Sequence, residues 1–202
     1  MKKIVKTAVL IILIAAVAVL YSNSVWPYEI YDSSIDSSAY ENTGELLENS
    51  KIEQRFIGKH NGLESLELTV SNLNQECDAE YKWSLIEATS GNVVGEGVID
   101  SEKVDNSKPY KLEFERIPTS KDVEYNLVID TKQIKSEHGI VLMTTEKDSS
   151  QNGTLRIDQV DSSKNLVLVQ EVKFFNIETF VVFVGLMIYL ALFIKFLFKI
   201  FE

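Results

Sequence analysis

Tyr81-Lys82-Trp83-Ser84-Leu85-Ile86-Glu87-Ala88-Thr89-Ser90-Gly91-Asn92-Val93-Val94 decides how the middle of this chain is read. Tyr81, Trp83 and Leu85 share one parity and Lys82 and Ser84 the other, which is the two-residue period of a strand with one covered face. Thr89-Ser90-Gly91-Asn92 interrupts the pattern with residues that tolerate positive φ. Val93-Val94 and Val98-Ile99 then resume it, so the segment predicts a β-hairpin.

The same period recurs on both sides of the hairpin. Ile52, Gln54 and Phe56 precede it, as do Leu63, Leu66, Leu68 and Val70. After it come Tyr110, Leu112 and Phe114; Tyr125, Leu127 and Ile129; Ile140 to Met143; Leu155 and Ile157; and a last run from Leu166 to Phe174. Short strands separated by polar turns, with no amphipathic helix among them, predict a mainly β fold, an antiparallel β-sandwich. Eight or nine strands exceed the seven of an immunoglobulin-type domain, and Cys77 is the only cysteine, so the two-cysteine mark of that fold is missing. A jelly-roll arrangement fits better.

Outside the sandwich, two apolar segments flank the polar middle. Ile4 to Leu20 follows Lys2, Lys3 and Lys6, and Phe180 to Ile194 precedes Lys195 and Lys199. About 20 apolar helical residues cross the hydrocarbon core. The second segment carries no charge and predicts a membrane helix over 177–202. The first, within 1–25, has two readings. It is an uncleaved anchor, with Trp26, Tyr28 and Tyr31 as interfacial aromatics and Pro27 as a helix stop, or a signal peptide cut near Ser22-Asn23-Ser24. With lysines at both outer flanks, the positive-inside rule places both termini in the cytoplasm and residues 26–176 outside a plasma membrane. Residues 26–50, rich in Ser, Asp, Glu and Asn, read as a solvated stalk, and 51–176 as the sandwich.

Charge narrows the partners. Over 22–177 there are 15 basic against 28 acidic residues, a net charge of −13. Such a surface repels nucleic acid and anionic polymers, which leaves the lipid bilayer as the partner the sequence states outright. Cys77 reads as a structural thiol, and neither His60 nor His138 stands in a nucleophile or metal spacing. No motif implies an organic cofactor. Asp100, Glu102, Asp105 and Asn106 crowd one loop and supply the oxygen ligands that calcium takes, so a structural calcium is weighed there against a solvated acidic turn. No carboxylate pair stands out for acid–base work, and the chain reads as a non-enzyme.

Phe56, Leu63-Glu64-Ser65-Leu66-Glu67-Leu68, Trp83-Ser84-Leu85-Ile86-Glu87 and above all the run from Tyr110 to Tyr125, followed by Gly153-Thr154-Leu155, carry a resemblance. The chain resembles the extracytoplasmic, carbohydrate-binding-module-like β-sandwich of bacterial polytopic membrane proteins of the glycosyltransferase and cell-surface polysaccharide type. That resemblance implies an accessory or carbohydrate-binding role in envelope polysaccharide assembly, beside a membrane glycosyltransferase or polysaccharide transporter. The alternative is a structural subunit of a larger membrane complex that binds no ligand. Sugars stack on exposed aromatic faces, which makes Tyr81, Trp83, Tyr110 and Tyr125 the candidate platform. Their parity with Leu85, Leu112 and Phe114 argues that these rings face the core instead.

Overall fold

A computed structural model describes residues 2–146 and 153–201, without the side chains of residues 2–8 and 10. The predicted flanking role of Lys2, Lys3 and Lys6 therefore lies outside the described side chains. The chain divides into two compact units, Trp26–Val172 and the pair Met1–Val25 with Lys173–Glu202.

Among the described residues the first unit has fourteen strands: β1 (Val25–Glu29), β2 (Glu41–Asn42), β3 (Lys51–Ile57), β4 (Leu63–Leu68), β5 (Val70–Ser71), β6 (Ala79–Glu87), β7 (Val93–Asp100), β8 (Tyr110–Ile117), β9 (Glu124–Ile134), β10 (Val141–Glu146), β11 (Thr154–Ile157), β12 (Val160–Ser162), β13 (Lys164–Leu166) and β14 (Leu168–Lys173). One sheet runs β12-β11-β3-β9-β6-β7. Facing it are the set β1-β14-β4-β8 and the set β13-β10-β2, with β5 also paired to β10. Every pair whose register is described is antiparallel. The hairpin forms as its sequence predicts: Gly91 takes φ +73° in the turn, its N–H donates to the Glu87 carbonyl at 2.8 Å, and Trp83 lies opposite Gly97.

Alternating parity becomes core. Ile52, Phe56, Tyr81, Trp83, Leu85, Tyr125, Leu127 and Ile129 from the six-stranded sheet are buried, as are Leu66, Leu68, Leu112, Leu142, Leu168 and Val172 from the facing strands. Two glutamines stitch the layers. Gln54 accepts from the Leu166 N–H at 2.9 Å, and Gln170 accepts from the Lys59 N–H at 3.1 Å while donating to the Ile57 carbonyl at 3.0 Å. Each fully buried amide thereby satisfies backbone groups that have no ladder partner.

Two expectations change. The run from Leu166 to Phe174 is not one strand: β13 pairs with β10 and β14 with β4, and the chain switches partners at Val167. There Thr69, Met143 and Val167 exchange backbone bonds of 2.9–3.2 Å, which admits β10 between strands that would otherwise run on together. Residues 26–50 are not a solvated stalk. β1 pairs with β14, β2 pairs with β10, the Ile30 N–H donates to the Leu168 carbonyl at 3.1 Å, and Ile30 and Leu46 are buried. Two apolar anchors in a polar segment are enough, because its backbone finds partners along strand edges.

In the other unit, helix α1 (Lys2–Ser22) packs on helix α2 (Ile177–Phe201). Ala18 is fully covered, the rings of Tyr21 and Phe183 lie 5.6 Å apart, and the Asn176 N–H donates to the Ser22 carbonyl at 2.8 Å. Among the described residues α2 is the one helix long and apolar enough to cross a bilayer. Its 25 residues make a rod of about 37 Å, more than the hydrocarbon thickness.

Candidate functional site

Three of the four candidate aromatics lie inside the domain. Tyr81 is fully buried, and its hydroxyl accepts from the Ile140 N–H at 3.1 Å and donates to the Leu46 carbonyl at 3.0 Å. Burial pushes its pKa up to about 12. Trp83 packs against Phe114 with ring centroids 6.3 Å apart, and Tyr125 packs against Phe56 at 5.7 Å. Their faces are covered by protein and offer no platform to a sugar.

Tyr110 differs. It is half-buried at the start of β8, opposite Leu68 of β4, and borders a hollow of about 400 Å³ shared with Glu67, Lys103, Asp105, Lys108 and Lys111. The loop before it is held by short-range chemistry. Asp100 caps the 3₁₀ turn Ser101–Lys103 through the Glu102 N–H, and Asp105 accepts from the Ser107 N–H and hydroxyl at 3.0 and 2.7 Å. Lys103 pairs with Asp100 at 3.0 Å and Lys108 with Asp105 at 3.1 Å. The Ser107 bonds, with Lys108 adding to them, lower the Asp105 pKa to about 2.

The four calcium candidates therefore do not converge. Asp100 and Asp105 spend their oxygens on their own turns and lysines, and the Asn106 amide reaches away to Asn72 and Asn74 at 2.7 and 3.0 Å. Among the described residues no group of three or more His, Cys, Asp or Glu side chains is placed to hold a metal. The loop is an acidic turn whose Asp105 joins Tyr110 at the hollow.

Beside the hollow stands a carboxylate pair that the sequence does not single out. Glu67 on β4 is in register with Lys111 on β8, and Ser65 on β4 is in register with Glu171 on β14. Lys111 Nζ lies 2.6 Å from Glu171, which also accepts a short bond from the buried Ser65 hydroxyl. Burial raises the Glu67 pKa, and the Glu171 charge adds to the rise. Burial also acts to raise Glu171, but the bonds from Lys111 and Ser65 outweigh it and hold the carboxyl below its usual range. Two acids on neighbouring strands are thus pushed apart, one toward the neutral form and one toward the anion.

Two other concavities are built differently. A groove of about 300 Å³ on the six-stranded sheet is lined by Glu53, Arg55, Asn126, Thr154, Arg156 and Asp161, and Arg156 spans Asp161 at 3.0 Å and Glu53 at 3.7 Å. A cleft of about 780 Å³ contains Cys77 and His138, where the thiol donates to the His138 carbonyl at 3.2 Å and the imidazole meets Glu45 at 3.3 Å. The bond to a carbonyl makes Cys77 a packed thiol rather than a paired nucleophile.

No protein-family model and no curated protein matches this chain. Among solved structures, an active site mutant of a family two carbohydrate esterase from Clostridium thermocellum is similar at 12% identity over 71% of this chain and 32% of its own, with a TM-score of 0.30. The VP2 subviral particle of infectious bursal disease virus is similar at 13% identity over 77% of this chain and 43% of its own, with a TM-score of 0.23. The chain spans about a third of the length of the esterase structure it matches, and neither likeness places it in a family.

Proposed function

We propose that this protein is a membrane-anchored, extracytoplasmic jelly-roll-type module that binds cell-envelope carbohydrate and assists polysaccharide assembly without catalysing a reaction. Both helices serve as anchors, both termini lie in the cytoplasm, and the partner is a membrane glycosyltransferase or polysaccharide transporter. The observation that carries the reading is Tyr110: of the four candidate aromatics it alone reaches the surface, and it does so beside lysine donors and carboxylate acceptors. A saccharide needs that combination, a ring face for its C–H surface and polar groups for its hydroxyls. The full-length protein in mild detergent, applied to an array of envelope glycans, is expected to retain a defined subset and to lose it in Tyr110→Ala. An array with no retained glycan overturns the reading.

The second reading, a structural subunit without its own ligand, is supported by Gly185 of α2. A Cβ placed there meets nothing, so this notch is unfilled by the rest of the described chain and suits the close approach of another membrane helix. Co-purification of a polytopic partner with wild type and its loss with Gly185→Leu would favour that reading.

A further inference from the structure

Three lysines border the hollow beside Tyr110, and each is committed to a carboxylate other than Glu67. Lys103 Nζ lies 3.0 Å from Asp100, and Lys108 Nζ lies 3.1 Å from Asp105. Lys111 stands opposite Glu67 in the register of β4 with β8, yet its Nζ goes to Glu171 on β14 at 2.6 Å. The buried Ser65 hydroxyl, two residues back along β4, is also spent on Glu171. Of the two carboxylates that border the hollow, Asp105 has a lysine and Glu67, among the described residues, has no ion-pair partner.

The strands on either side supply no other cation. Val169 of β14 stands opposite Glu67, and the charged neighbour on that strand is the Glu171 carboxylate. On β8 the diagonal neighbour is Glu113, a further negative charge opposite Ser65. The loop before β8 adds Asp105, the two paired lysines and the Tyr110 hydroxyl. The Glu67 and Glu171 carboxyls are close enough for a hydrogen bond between them, and two carboxyl groups make one only by holding a proton. A half-buried acid in that position takes up its proton at a higher pH than an exposed one.

We propose, resting on the reading of this hollow as a saccharide site, that Glu67 is its proton-linked contact and that the ligand is held with Glu67 protonated. A sugar seated against Tyr110 displaces the water that hydrates Glu67. A carboxylate loses that hydration with no free cation to replace it, because each bordering lysine is already paired. The neutral acid loses little, and it offers an O–H to a ring or glycosidic oxygen, which can only accept. The bound state therefore holds the proton more tightly than the free one, and linkage makes affinity rise as pH falls. The rise begins below the pKa of Glu67 in the complex and levels off below its pKa in the free protein.

The test is calorimetric titration of a glycan retained on the envelope array into the full-length protein in mild detergent, at pH 8 and at pH 5. Wild type is expected to bind about fivefold more tightly at pH 5. Between those values it should take up protons on binding, seen as a heat that changes with the ionisation enthalpy of the buffer. Glu67→Gln, which keeps the shape and the donor of the neutral acid, is expected to bind equally at both pH values with no buffer-dependent heat. Glu113→Gln, on the exposed diagonal position, should behave as wild type. A wild-type affinity that is the same at both pH values, a pH dependence that survives in Glu67→Gln, or its loss in Glu113→Gln overturns the proposal, while loss of binding in Tyr110→Ala would leave the saccharide reading standing. No glycan retained at either pH overturns both.

Discussion

Replacing Tyr81 by Phe removes one oxygen from the interior and leaves the ring in place. That oxygen joins two segments far apart in sequence, taking the Ile140 N–H and giving its own proton to the Leu46 carbonyl. No room exists for compensation, because a Cβ on Gly139 would already stand 3.0 Å from the hydroxyl and 2.2 Å from the Leu46 oxygen. Two buried backbone groups would lose their partner, at about 1–3 kcal/mol each, so a total near 3 kcal/mol is expected. For a unit of this size that lowers the melting temperature by roughly 6–12 °C. Thermal unfolding followed by circular dichroism measures the shift, and limited proteolysis should show earlier cleavage within 41–50. A loss below about 0.5 kcal/mol, with unchanged cleavage, would mean that 26–50 is loosely held and that its description as part of the sandwich is wrong.

Gly97→Ala drives a methyl group against the Trp83 indole and should cost about 1–3 kcal/mol, visible as a lower melting temperature and an altered near-ultraviolet dichroism. Glu67→Gln should stabilise the protein at neutral pH, because the raised pKa means that the charged form opposes folding. The gap closes as pH falls through that pKa and the wild-type side chain takes up a proton, which paired melts from pH 8 to 5 would record. Glu171→Gln acts oppositely. Its depressed pKa contributes stability above the ordinary carboxylate range that is lost as pH falls through the folded-state pKa, so the variant should be less stable than wild type at pH 7 and converge on it at acid pH, the effect being moderated by the half-exposed Lys111. A chain ending at Asn176 should stay in the membrane pellet after a carbonate wash, with α1 as its anchor, and its release would identify the first segment as a cleaved signal peptide.

What was legible in the sequence is what depends on local period. Tyr81, Trp83 and Leu85 announce a half-buried strand, Gly91 announces the turn, and the structure pairs β6 with β7 through it. The docking of 26–50 was not legible, since its anchors Ile30 and Leu46 stand alone among polar residues and Ile30 bonds to Leu168, far along the chain. Nor was the break at Val167, because partner exchange leaves no mark on parity. The acid pair Glu67 and Glu171 belongs to the same class: each is an ordinary outward residue of its strand, and only the register of β4 between β8 and β14 brings them to Lys111 and Ser65. Asp100, Glu102, Asp105 and Asn106 show the converse error, in which closeness in sequence suggests convergence although Asp100 and Asp105 turn to their own loop backbone and a nearby lysine and Asn106 turns to Asn72.

The most direct test of the account is calorimetric titration of a retained envelope glycan into the full-length protein, wild type and Tyr110→Ala in parallel. The account predicts saturable binding to wild type and at least a tenfold loss in the variant, about 1.4 kcal/mol, with the melting temperature unchanged. Equal binding by both proteins would place the ligand elsewhere on the sandwich, and no binding by either would contradict the carbohydrate reading itself.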